Sequence, residues 1–531
     1  MSTYRILVSD PISNHGVEAL DAHPDISVDV RTGMPPEELI SIIGDYDGLV
    51  VRSQTKATAE VIDAAKRLRV IGRAGVGVDN IDRQAATAHG VVVMNTPTGN
   101  TVSTAEHAFA LMLSLARNIP KAHATVAEGR WDRKKFKGIE LYGKRLAILG
   151  MGRIGTEFAR RALGFGMKVT AYDPFLTEAR AQSLNVTLAE SVEAALDGAD
   201  VVTLHMPLND ETRHILDAGR IERLNRGALV VNCARGGLVD ETAAAAAIES
   251  GRLAGMALDV YEQEPPSAEH PLFAAERVVF TPHLGASTFE AQENVGIQVA
   301  EQIRDYLTTG EIRNAVNMPS LDAETLAAVG RYLDLARSLG RLLAKLGPIQ
   351  PDSLRVSYHG AVGEADTSLI TRSALTGFLE RASHEDQVNI VNAPAVAGSL
   401  GLELIESRIS AKTEFSELIV AELRKDGQKF RVAGTIIGRT PRIVEIDRFF
   451  VDTAIAGHLL VVRNDDSPGI VGIVGTAIAR CGLNIGNMSL ARNKQRGNAL
   501  SAIEVDSPVP PELLDELAGT PGITAVHAID L

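Results

Sequence analysis

The sequence predicts an α/β protein in which two doubly wound parallel sheets are followed by two smaller α+β units. Three observations support this fold class. Short apolar runs alternate with helical patterns over residues 4–318, which is typical of parallel sheets covered by helices. A glycine-rich turn joins one of these apolar runs to a helix at residues 150–155. Residues 457–531 instead follow a β-α-β-β-α-β order, the pattern of a ferredoxin-like unit.

Length and composition narrow the function classes. A chain of 531 residues is long enough for about three or four domains. A net charge of −14 and an aromatic content of 4% argue against a nucleic-acid-binding surface. No apolar run approaches the ~20 residues of a membrane span, and the N-terminus lacks the pattern of a signal peptide. With only two cysteines, Cys233 and Cys481, we expect a cytoplasmic protein with neither nucleic-acid nor membrane partner, and no metal site is predicted.

The first unit carries two arginines at the ends of predicted strands. Its strands are predicted at residues 4–9, 48–52, 70–73 and 91–94, with helices at 36–43 and 57–66. Arg52 and Arg73 end two of these strands, and ligands bind at the carboxyl ends of strands in open α/β sheets. The guanidinium group holds carboxylate or phosphate with two hydrogen bonds. The pair therefore favours an anionic ligand, although two ordinary surface arginines would give the same pattern.

The second unit contains the glycine-rich turn Gly150-Met151-Gly152-Arg153-Ile154-Gly155, between the apolar run 146–149 and a helical pattern. Gly150 permits a tight turn, Gly152 lets the backbone approach a pyrophosphate, and Gly155 lets the helix pack closely on the strand. The helix N-terminus offers N–H groups to the anion. A purely structural turn is the alternative. Asp173 ends the next strand at the spacing expected of a dinucleotide-binding (Rossmann) fold, and its charge favours NAD over NADP.

The nucleotide-binding unit is predicted to be inserted within the first unit. Further strands are predicted at residues 201–205, 228–232, 255–260 and 278–281, and a helix at 289–308 is long enough to return to the first sheet. A helix at 103–118 is expected to begin at Ser103, with Glu106 completing a capping box. The predicted domains are residues 1–98 with 287–318 for substrate, 99–286 for NAD, 319–453, and 455–531.

Three charged or titratable residues follow strands of the nucleotide unit: Arg235, Glu264 and His283. Oxidation of a 2-hydroxy acid with NAD needs a cation to hold the carboxylate, which Arg235 can supply. It needs a base to accept the hydroxyl proton, for which histidine is suited. A carboxylate such as Glu264 can orient the imidazole and stabilise its cation. Taken singly, Glu264 could be a loop carboxylate and His283 a core histidine; together they predict a catalytic set.

The motifs RAGVGVDNID (73–82), GMGRIG (150–155), NCARGGLVDE (232–241), ALDVYEQEPP (257–266) and PHLGAST (282–288) resemble the D-isomer-specific 2-hydroxyacid dehydrogenase family, in its long phosphoglycerate-oxidising branch. The resemblance implies that Arg235, Glu264 and His283 are catalytic, with His283 as the acid–base, and that the first unit is flavodoxin-like. The NAD contacts it implies, with those of the glycine turn, are Val76, Gly150, Gly152, Arg153, Ile154, Gly155, Asp173, Met206, Cys233, Ala234, Arg235, Asp259, His283, Leu284, Gly285 and Ala286. The substrate contacts expected are Arg52, Ser53, Arg73, Gly75, Val76, Arg235 and His283.

By this resemblance, we expect NAD-dependent oxidation of 3-phosphoglycerate to 3-phosphohydroxypyruvate, the first step of the phosphorylated route to L-serine, in a homotetramer or homodimer. Two alternatives stay open. One is an NAD-linked reductase of another 2-hydroxy acid, such as glyoxylate or hydroxypyruvate. The other is an NAD-sensing, corepressor-like binding protein, against which the complete set of Arg235, Glu264 and His283 argues.

The two C-terminal units carry no catalytic pattern. Residues 319–453 show mixed strand and helix signals and resemble the intervening domain of the long family members, where a spacer and a ligand-binding role are both open. Residues 455–531 resemble an ACT domain, a regulatory amino-acid-binding module. In such modules a paired interface binds the amino acid, and Asn464, Asp466 and Asn484 match the binding positions. We therefore expect L-serine to be an effector that binds there and inhibits.

Overall fold

The computed structural model describes residues 4–364, 366–380, 388–411, 413–494 and 497–531. These residues form four sheets that follow one another along the chain. The first two are wholly parallel, the third is mixed and the fourth is antiparallel. The predicted fold class is confirmed.

The first sheet has five parallel strands in the order β2-β1-β3-β4-β5, which is the flavodoxin-like order. Its strands are β1 (Tyr4–Val8), β2 (Ile26–Val30), β3 (Gly48–Val51), β4 (Val70–Arg73) and β5 (Val92–Met94). Strand β2 is not predicted from the sequence. Only Ile26 is buried in this edge strand, and Ser27 and Asp29 alternate with its apolar residues, so β2 lacks the continuous apolar run of the inner strands.

The second sheet has seven parallel strands in the order β12-β11-β10-β9-β6-β7-β8. The strand order reverses direction between β6 and β9, which is where a Rossmann fold binds its dinucleotide. Its strands are β6 (Arg145–Leu149), β7 (Lys168–Tyr172), β8 (Thr187–Leu188), β9 (Val201–Leu204), β10 (Ala228–Asn232), β11 (Leu253–Leu258) and β12 (Val278–Phe280).

Two long helices, Thr101–Arg117 and Phe289–Thr309, connect the two sheets. The prediction that Ser103 caps the first of them is wrong, because the helix begins two residues earlier, after Asn100. Ser103 lies in its first turn, and its hydroxyl hydrogen-bonds Thr288 Oγ1 at 2.8 Å. Thr288 in turn caps the second helix. The hydroxyl that local spacing assigned to a cap therefore ties the two connecting helices together.

Shorter helices cover both parallel sheets. Those of the first sheet are Asn14–Asp21, Pro36–Ile42, Ala59–Ala64 and Arg83–Ala88. Those that accompany the second sheet are Ile119–Ala127, Arg153–Gly164, Glu178–Ser183, Val192–Leu196, Ala218–Ile221 and Glu241–Glu249.

The third sheet has six strands in the order β14-β13-β15-β16-β17-β18. They are β13 (Ser353–Gly360), β14 (Glu403–Ile409), β15 (Glu417–Lys425), β16 (Gln428–Ile437), β17 (Thr440–Ile446) and β18 (Phe449–Ala454). Helix Ala323–Leu346 packs against helix Ser368–Leu379, and Ala393–Ser399 follows. A Cβ on Gly340 would lie 2.0 Å from Ala374 O, so this close helix crossing requires glycine.

The fourth sheet has the antiparallel order β20-β21-β19-β22. Its strands are β19 (His458–Asp465), β20 (Ile485–Arg492), β21 (Asn498–Val505) and β22 (Ile523–Asp530), with helices Ile470–Arg480 and Pro511–Ala518 between them. This is the β-α-β-β-α-β order that the sequence predicted. Among the described residues, none of the helices has the length and apolar character needed to cross a membrane.

Candidate active site

The glycine turn after β6 forms a site that fits the diphosphate of NAD. Gly150 has a φ of +99°, and a Cβ there would lie 2.5 Å from His205 O. A Cβ on Gly155 would lie 2.1 Å from Gly150 O, whereas open space surrounds the Cβ position of Gly152. Within the described part of the chain, no side chain caps the helix that begins at Arg153. Its first N–H groups can therefore bind an anion that approaches over Gly152.

Asp173 connects the glycine turn to the end of β7. Its Oδ2 accepts a hydrogen bond from Met151 N at 2.7 Å, and its Oδ1 accepts one from Phe175 N at 2.8 Å. A carboxylate has about four acceptor positions, so acceptor capacity is left for the two ribose hydroxyls of NAD. The side chain of Phe175 is 92% exposed and provides no cation for a 2′-phosphate.

His283 and Glu264 are hydrogen-bonded to each other from neighbouring loops. His283 Nδ1 lies 2.7 Å from Glu264 Oε2, and Glu264 Oε1 accepts a hydrogen bond from Tyr261 N at 3.2 Å. Burial alone would raise the pKa of Glu264, but its hydrogen bonds from His283 and Tyr261 outweigh burial and lower the pKa. Glu264 is therefore a carboxylate at neutral pH. Because it occupies Nδ1, the Nε2 atom of His283 is left for a substrate.

A buried carboxylate, Asp259, shapes the turn that carries His283. His283 has a φ of +54°, a left-handed backbone conformation that is uncommon for histidine. Asp259 is fully buried and accepts hydrogen bonds from Leu284 N at 2.7 Å and Gly285 N at 2.8 Å. The Thr281 hydroxyl donates to Asp259 at 2.6 Å. Asp259, which the resemblance assigns to NAD contact, thus uses its carboxylate to hold the turn.

The sequence favours a structural role for His107 over a catalytic one but does not identify its partner, Asp259, which His107 supports from the connecting helix. His107 Nε2 lies 3.1 Å from Asp259 Oδ1 and 3.1 Å from Thr281 Oγ1. Burial would raise the pKa of Asp259, but hydrogen bonds from His107, Thr281 and Leu284 lower it. A histidine inside an amphipathic helix gives no sequence signal for such a role, since the partner is 152 positions away.

Arg235 lies between the two parallel sheets. Its Nη1 donates to Ala234 O at 2.7 Å, and its Nε donates to Asp79 Oδ2, on the loop after β4, at 3.1 Å. A Cβ on Gly236 would lie 1.8 Å from Tyr261 O. That glycine therefore lets the Arg235 loop pack against the loop that carries Glu264.

Arg73 and Arg52 approach Arg235 from the first sheet. Arg73 Nε donates to Arg52 O at 3.1 Å, and its guanidinium lies over Gly75, where a Cβ would be 2.0 Å from Nη1. Burial, then the neighbouring charge of Arg235 and, less strongly, that of Arg52, lower the pKa of Arg73 to about 10. The structure thus brings the three predicted arginines together, and the cluster favours an anionic ligand.

Asp10 organises the loop that contains Arg52 and Ser53. It is 1% exposed and accepts hydrogen bonds from Arg52 N at 2.6 Å and from Thr55 N at 3.0 Å. Asp10 is not among the residues predicted for the site. A signal was present, since Asp10 closely follows β1 at the same edge of the sheet as Arg52 follows β3.

A cavity of about 280 Å³ lies beside Arg52 and was also missed, because its walls come from distant parts of the chain. Its polar lining comes from Arg52, Ser13, Gln292 and Glu293. In the connection that follows β5, the buried side-chain oxygens of Thr96, Asn100 and Thr101 have no hydrogen-bond partner in the described structure. Unpartnered buried acceptors are costly, so this connection suits a polar ligand.

The other predicted contacts lie around the same cleft, and some of their side chains are buried whereas others are accessible to solvent. Val76 O accepts a hydrogen bond from Asn95 Nδ2 at 2.5 Å. Cys233 is buried, and burial, with the nearby charge of Asp259, raises the pKa of its thiol well above the usual value. The predicted contacts that keep solvent access are Ser53, Val76, Arg153, Ile154, Met206, Ala234, Leu284 and Ala286.

Comparison with known proteins identifies the family. The chain matches the family model of the D-isomer specific 2-hydroxyacid dehydrogenase NAD binding domain over residues 109–285 and that of the D-3-phosphoglycerate dehydrogenase intervening domain over residues 328–447. It is 42% identical over 530 residues to the D-3-phosphoglycerate dehydrogenase of Archaeoglobus fulgidus, covering 99% of this chain and 100% of that protein. The chain belongs to the D-3-phosphoglycerate dehydrogenase family. The corresponding enzyme of Bacillus subtilis is 39% identical, with 99% and 100% covered.

Solved structures agree with this family membership. An NAD⁺-bound 3-phosphoglycerate dehydrogenase from Entamoeba histolytica matches with a TM-score of 0.52 and 30% identity, covering 60% of this chain and 99% of that one. A glyoxylate reductase from Paecilomyes thermophila matches with a TM-score of 0.55 and 30% identity, covering 60% and 99%. As a member of the D-3-phosphoglycerate dehydrogenase family, the protein is an oxidoreductase that uses NAD.

Within one chain, the three predicted regulatory residues lie at two different ends of the fourth sheet. Asn464 pairs with Ala499, whereas Ile485, next to Asn484, pairs with Val505. Ala499 and Val505 are six positions apart, or about 20 Å along a strand. Asp466 lies near Asn464 and accepts a hydrogen bond from Arg492 Nη1 at 3.3 Å, whereas Asn484 Nδ2 donates to Asp506 at 3.0 Å. One chain therefore does not bring the three together.

Proposed function

We propose that this protein oxidises 3-phospho-D-glycerate to 3-phosphohydroxypyruvate, the first step of the phosphorylated route to L-serine. The observation that carries the proposal is the cluster of Arg52, Arg73 and Arg235 next to the hydrogen-bonded pair of Glu264 and His283. A carboxylate needs only one arginine for bidentate binding. Two further arginines in the first sheet suit a second anionic group, and a phosphate on the substrate supplies it.

Each of these residues has a separate role in the proposed reaction. Arg235 binds the substrate carboxylate and orients the carbon that is oxidised, while Arg52 and Arg73 bind the phosphate. His283 Nε2 accepts the hydroxyl proton, and Glu264 stabilises the imidazolium through Nδ1. When bound, NAD supplies the acceptor for the hydride that leaves the same carbon. We propose that Ser53 and Gly75 also contact the substrate. Asp10 holds the loop that contains Ser53, and the guanidinium of Arg73 lies against Gly75.

We propose that NAD contacts the glycine turn from Gly150 to Gly155 and the side chain of Asp173. Met206 and the loops after β10 and β12 supply the further contacts. We also propose the domain division 1–98 with 287–318, 99–286, 319–453 and 455–531.

We propose that the protein is located in the cytoplasm. Both cysteines are free thiols, which fits the reducing conditions of that compartment.

We further propose that L-serine binds the fourth sheet and inhibits. Asn464 is 4% exposed, and its Oδ1 is buried without a hydrogen-bond partner in the described structure. An amino group would satisfy that oxygen. Because Asn484 lies at the other end of its own sheet, it would act from a second copy of the chain. The regulatory site therefore needs a homodimer or homotetramer.

The test is NADH formation from 3-phosphoglycerate, followed at 340 nm with and without L-serine, while the keto product is removed. We expect turnover that falls as serine is added. We also expect His283→Ala to abolish turnover while NADH still binds, as judged by its fluorescence. If His283→Ala kept its turnover, the assignment of the acid–base would be wrong.

The same assay separates the alternatives. Activity on glyoxylate or hydroxypyruvate with none on 3-phosphoglycerate would contradict the phosphate role of Arg52 and Arg73. If turnover does not respond to millimolar serine, the proposed oxidation reaction still stands, but serine is excluded as the effector. A protein that binds NADH but oxidises none of these acids would support the NAD-sensing alternative.

A further inference from the structure

Asp79 is an acidic residue inside the arginine cluster, and neither the fold nor the proposed reaction accounts for it. Its side chain is 80% exposed, and its Oδ2 lies 3.1 Å from Arg235 Nε. Asp79 belongs to the loop after β4, in the first sheet, whereas Arg235 follows β10, in the second. The ion pair therefore bridges the cleft between the two sheets.

The same loop has a shape that accommodates Arg235. A Cβ on Gly77 would lie 2.0 Å from Arg235 Nη2 and 2.8 Å from Asp79 Oδ2. Glycine at this position thus allows the guanidinium to lie flat against the loop, beside the Asp79 carboxylate. The next residue, Asn80, donates from Nδ2 to Arg52 O at 3.1 Å and to Thr55 O at 2.7 Å. This fixes the loop to the neighbouring arginine segment.

The guanidinium of Arg235 is held from two sides. Asp79 accepts from Nε, and the carbonyl of Ala234 accepts from Nη1. A guanidinium has five N–H donors, so about three remain for a ligand after these two contacts. A carboxylate needs two parallel N–H groups, and a side chain anchored at two points presents them without further loss of rotamer freedom.

We propose that Asp79 is a positioning residue, which holds Arg235 across the cleft so that its remaining N–H groups face the substrate carboxylate. This inference rests on the proposed role of Arg235. It also explains why an exposed carboxylate is present where an anionic substrate has to enter. Its attraction for Arg235 offsets part of the repulsion among the three arginines.

The experiment compares Asp79→Asn with the wild-type enzyme. An exposed ion pair is worth up to about 1 kcal/mol, so we expect KM for 3-phosphoglycerate to rise about fivefold. KM for NAD should stay within about twofold, because the glycine turn and Asp173, which are proposed to bind most of the cofactor, follow β6 and β7 of the second sheet. We expect Asp79→Glu to recover most of the loss, and Gly77→Ala to reproduce it by displacing the guanidinium.

Asp82→Asn is the matched control. Asp82 is on the same loop, and its Oδ1 caps the Arg83–Ala88 helix by accepting from Ala85 N at 2.9 Å. Asparagine caps helices equally well, so this variant removes one negative charge nearby without a structural loss. We expect its KM to equal that of the wild type.

A double-mutant cycle tests whether Asp79 acts through Arg235. Calorimetry measures binding of 3-phosphoglycerate to the NADH-loaded enzyme, so that turnover is not required. In an Arg235→Met background, Asp79→Asn should add no further weakening. An equal effect in both backgrounds, a lower KM in Asp79→Asn, or an equal effect of Asp82→Asn would each overturn the proposal. If the wild-type enzyme neither binds nor oxidises 3-phosphoglycerate, the proposed function fails instead.

Discussion

Replacing Asp259 with asparagine tests whether the buried carboxylate holds the catalytic turn. The substitution keeps the size of the side chain but removes its charge and turns one acceptor into a donor. In the most favourable orientation, the amide oxygen keeps the contacts of Oδ1 with Thr281, Leu284 and His107. The amide NH₂ group then faces Gly285 N, which at present donates to Oδ2 at 2.8 Å.

The magnitude follows from these contacts. One buried N–H loses its acceptor and the remaining hydrogen bonds lose their charge assistance, which together cost about 3 kcal/mol. For a unit of about 150 to 250 residues, this lowers the melting temperature by about 6 to 12 °C. We expect kcat to fall at least about tenfold as well, because the turn carrying His283 loses its anchor and proton transfer requires geometry.

The pH dependence has a definite sign. Hydrogen bonding lowers the pKa of Asp259 in the folded protein, compared with about 3.9 in an unfolded chain. The stabilisation by its charge is therefore fully present above pH 4 and is lost as the pH falls through the folded-state pKa. The difference in melting temperature between wild type and Asp259→Asn should therefore shrink as the pH falls below about 4.

The assay is scanning calorimetry of both proteins together with kcat measured on 3-phosphoglycerate. Asp240→Asn is the control, because Asp240 caps the Glu241–Glu249 helix by accepting from Ala243 N at 2.9 Å, a contact that asparagine retains. If Asp259→Asn melted within about 1 °C of the wild type and kept its kcat, Asp259 would not hold the turn.

Three other substitutions have predicted outcomes. Gly155→Ala places a Cβ 2.1 Å from the backbone oxygen of Gly150, so NADH affinity, measured by fluorescence titration, should fall at least about tenfold; unchanged affinity would contradict the role of this glycine. Glu264→Gln removes the charge 2.7 Å from His283 Nδ1, and kcat should fall about tenfold to a hundredfold with KM for NAD unchanged, as steady-state kinetics will check. Arg52→Gln should lower kcat/KM for 3-phosphoglycerate about tenfold while leaving that for unphosphorylated D-glycerate unaltered, and equal losses on both acids would refute a phosphate contact.

The parts of the fold predicted from sequence are those encoded by local patterns. Continuous apolar runs predicted the inner strands of both parallel sheets, and the glycine spacing predicted the turn at Gly150. The edge strand β2 was missed because it alternates between apolar and polar residues. The capping prediction for Ser103 was wrong because its hydroxyl bonds to Thr288, 185 positions away, and no local rule contains that partner.

In the candidate site, too, local sequence patterns predicted some residues and not others. Arg235, Glu264 and His283 could be predicted because each follows a strand, and the ends of parallel strands meet at one edge of a sheet. The residues that hold them could not. Asp79, Asp10 and the pair of His107 with Asp259 act through tertiary contacts, and a buried carboxylate looks the same in a sequence as an exposed one.

In the proposed reaction, the two halves of the cleft would hold their anions by different means, and this difference has a physical reason. At the glycine turn, backbone N–H groups at the start of the Arg153–Gly164 helix provide partial charges for the diphosphate, beside the proposed contact from Arg153. At the first sheet, full charges gather instead, and burial beside other cations lowers the pKa of Arg73 to about 10. That crowding is unfavourable until an anion arrives. Under the proposed function, binding of a phosphorylated acid would relieve it, and the phosphate would then supply energy for orienting the carbon that reacts.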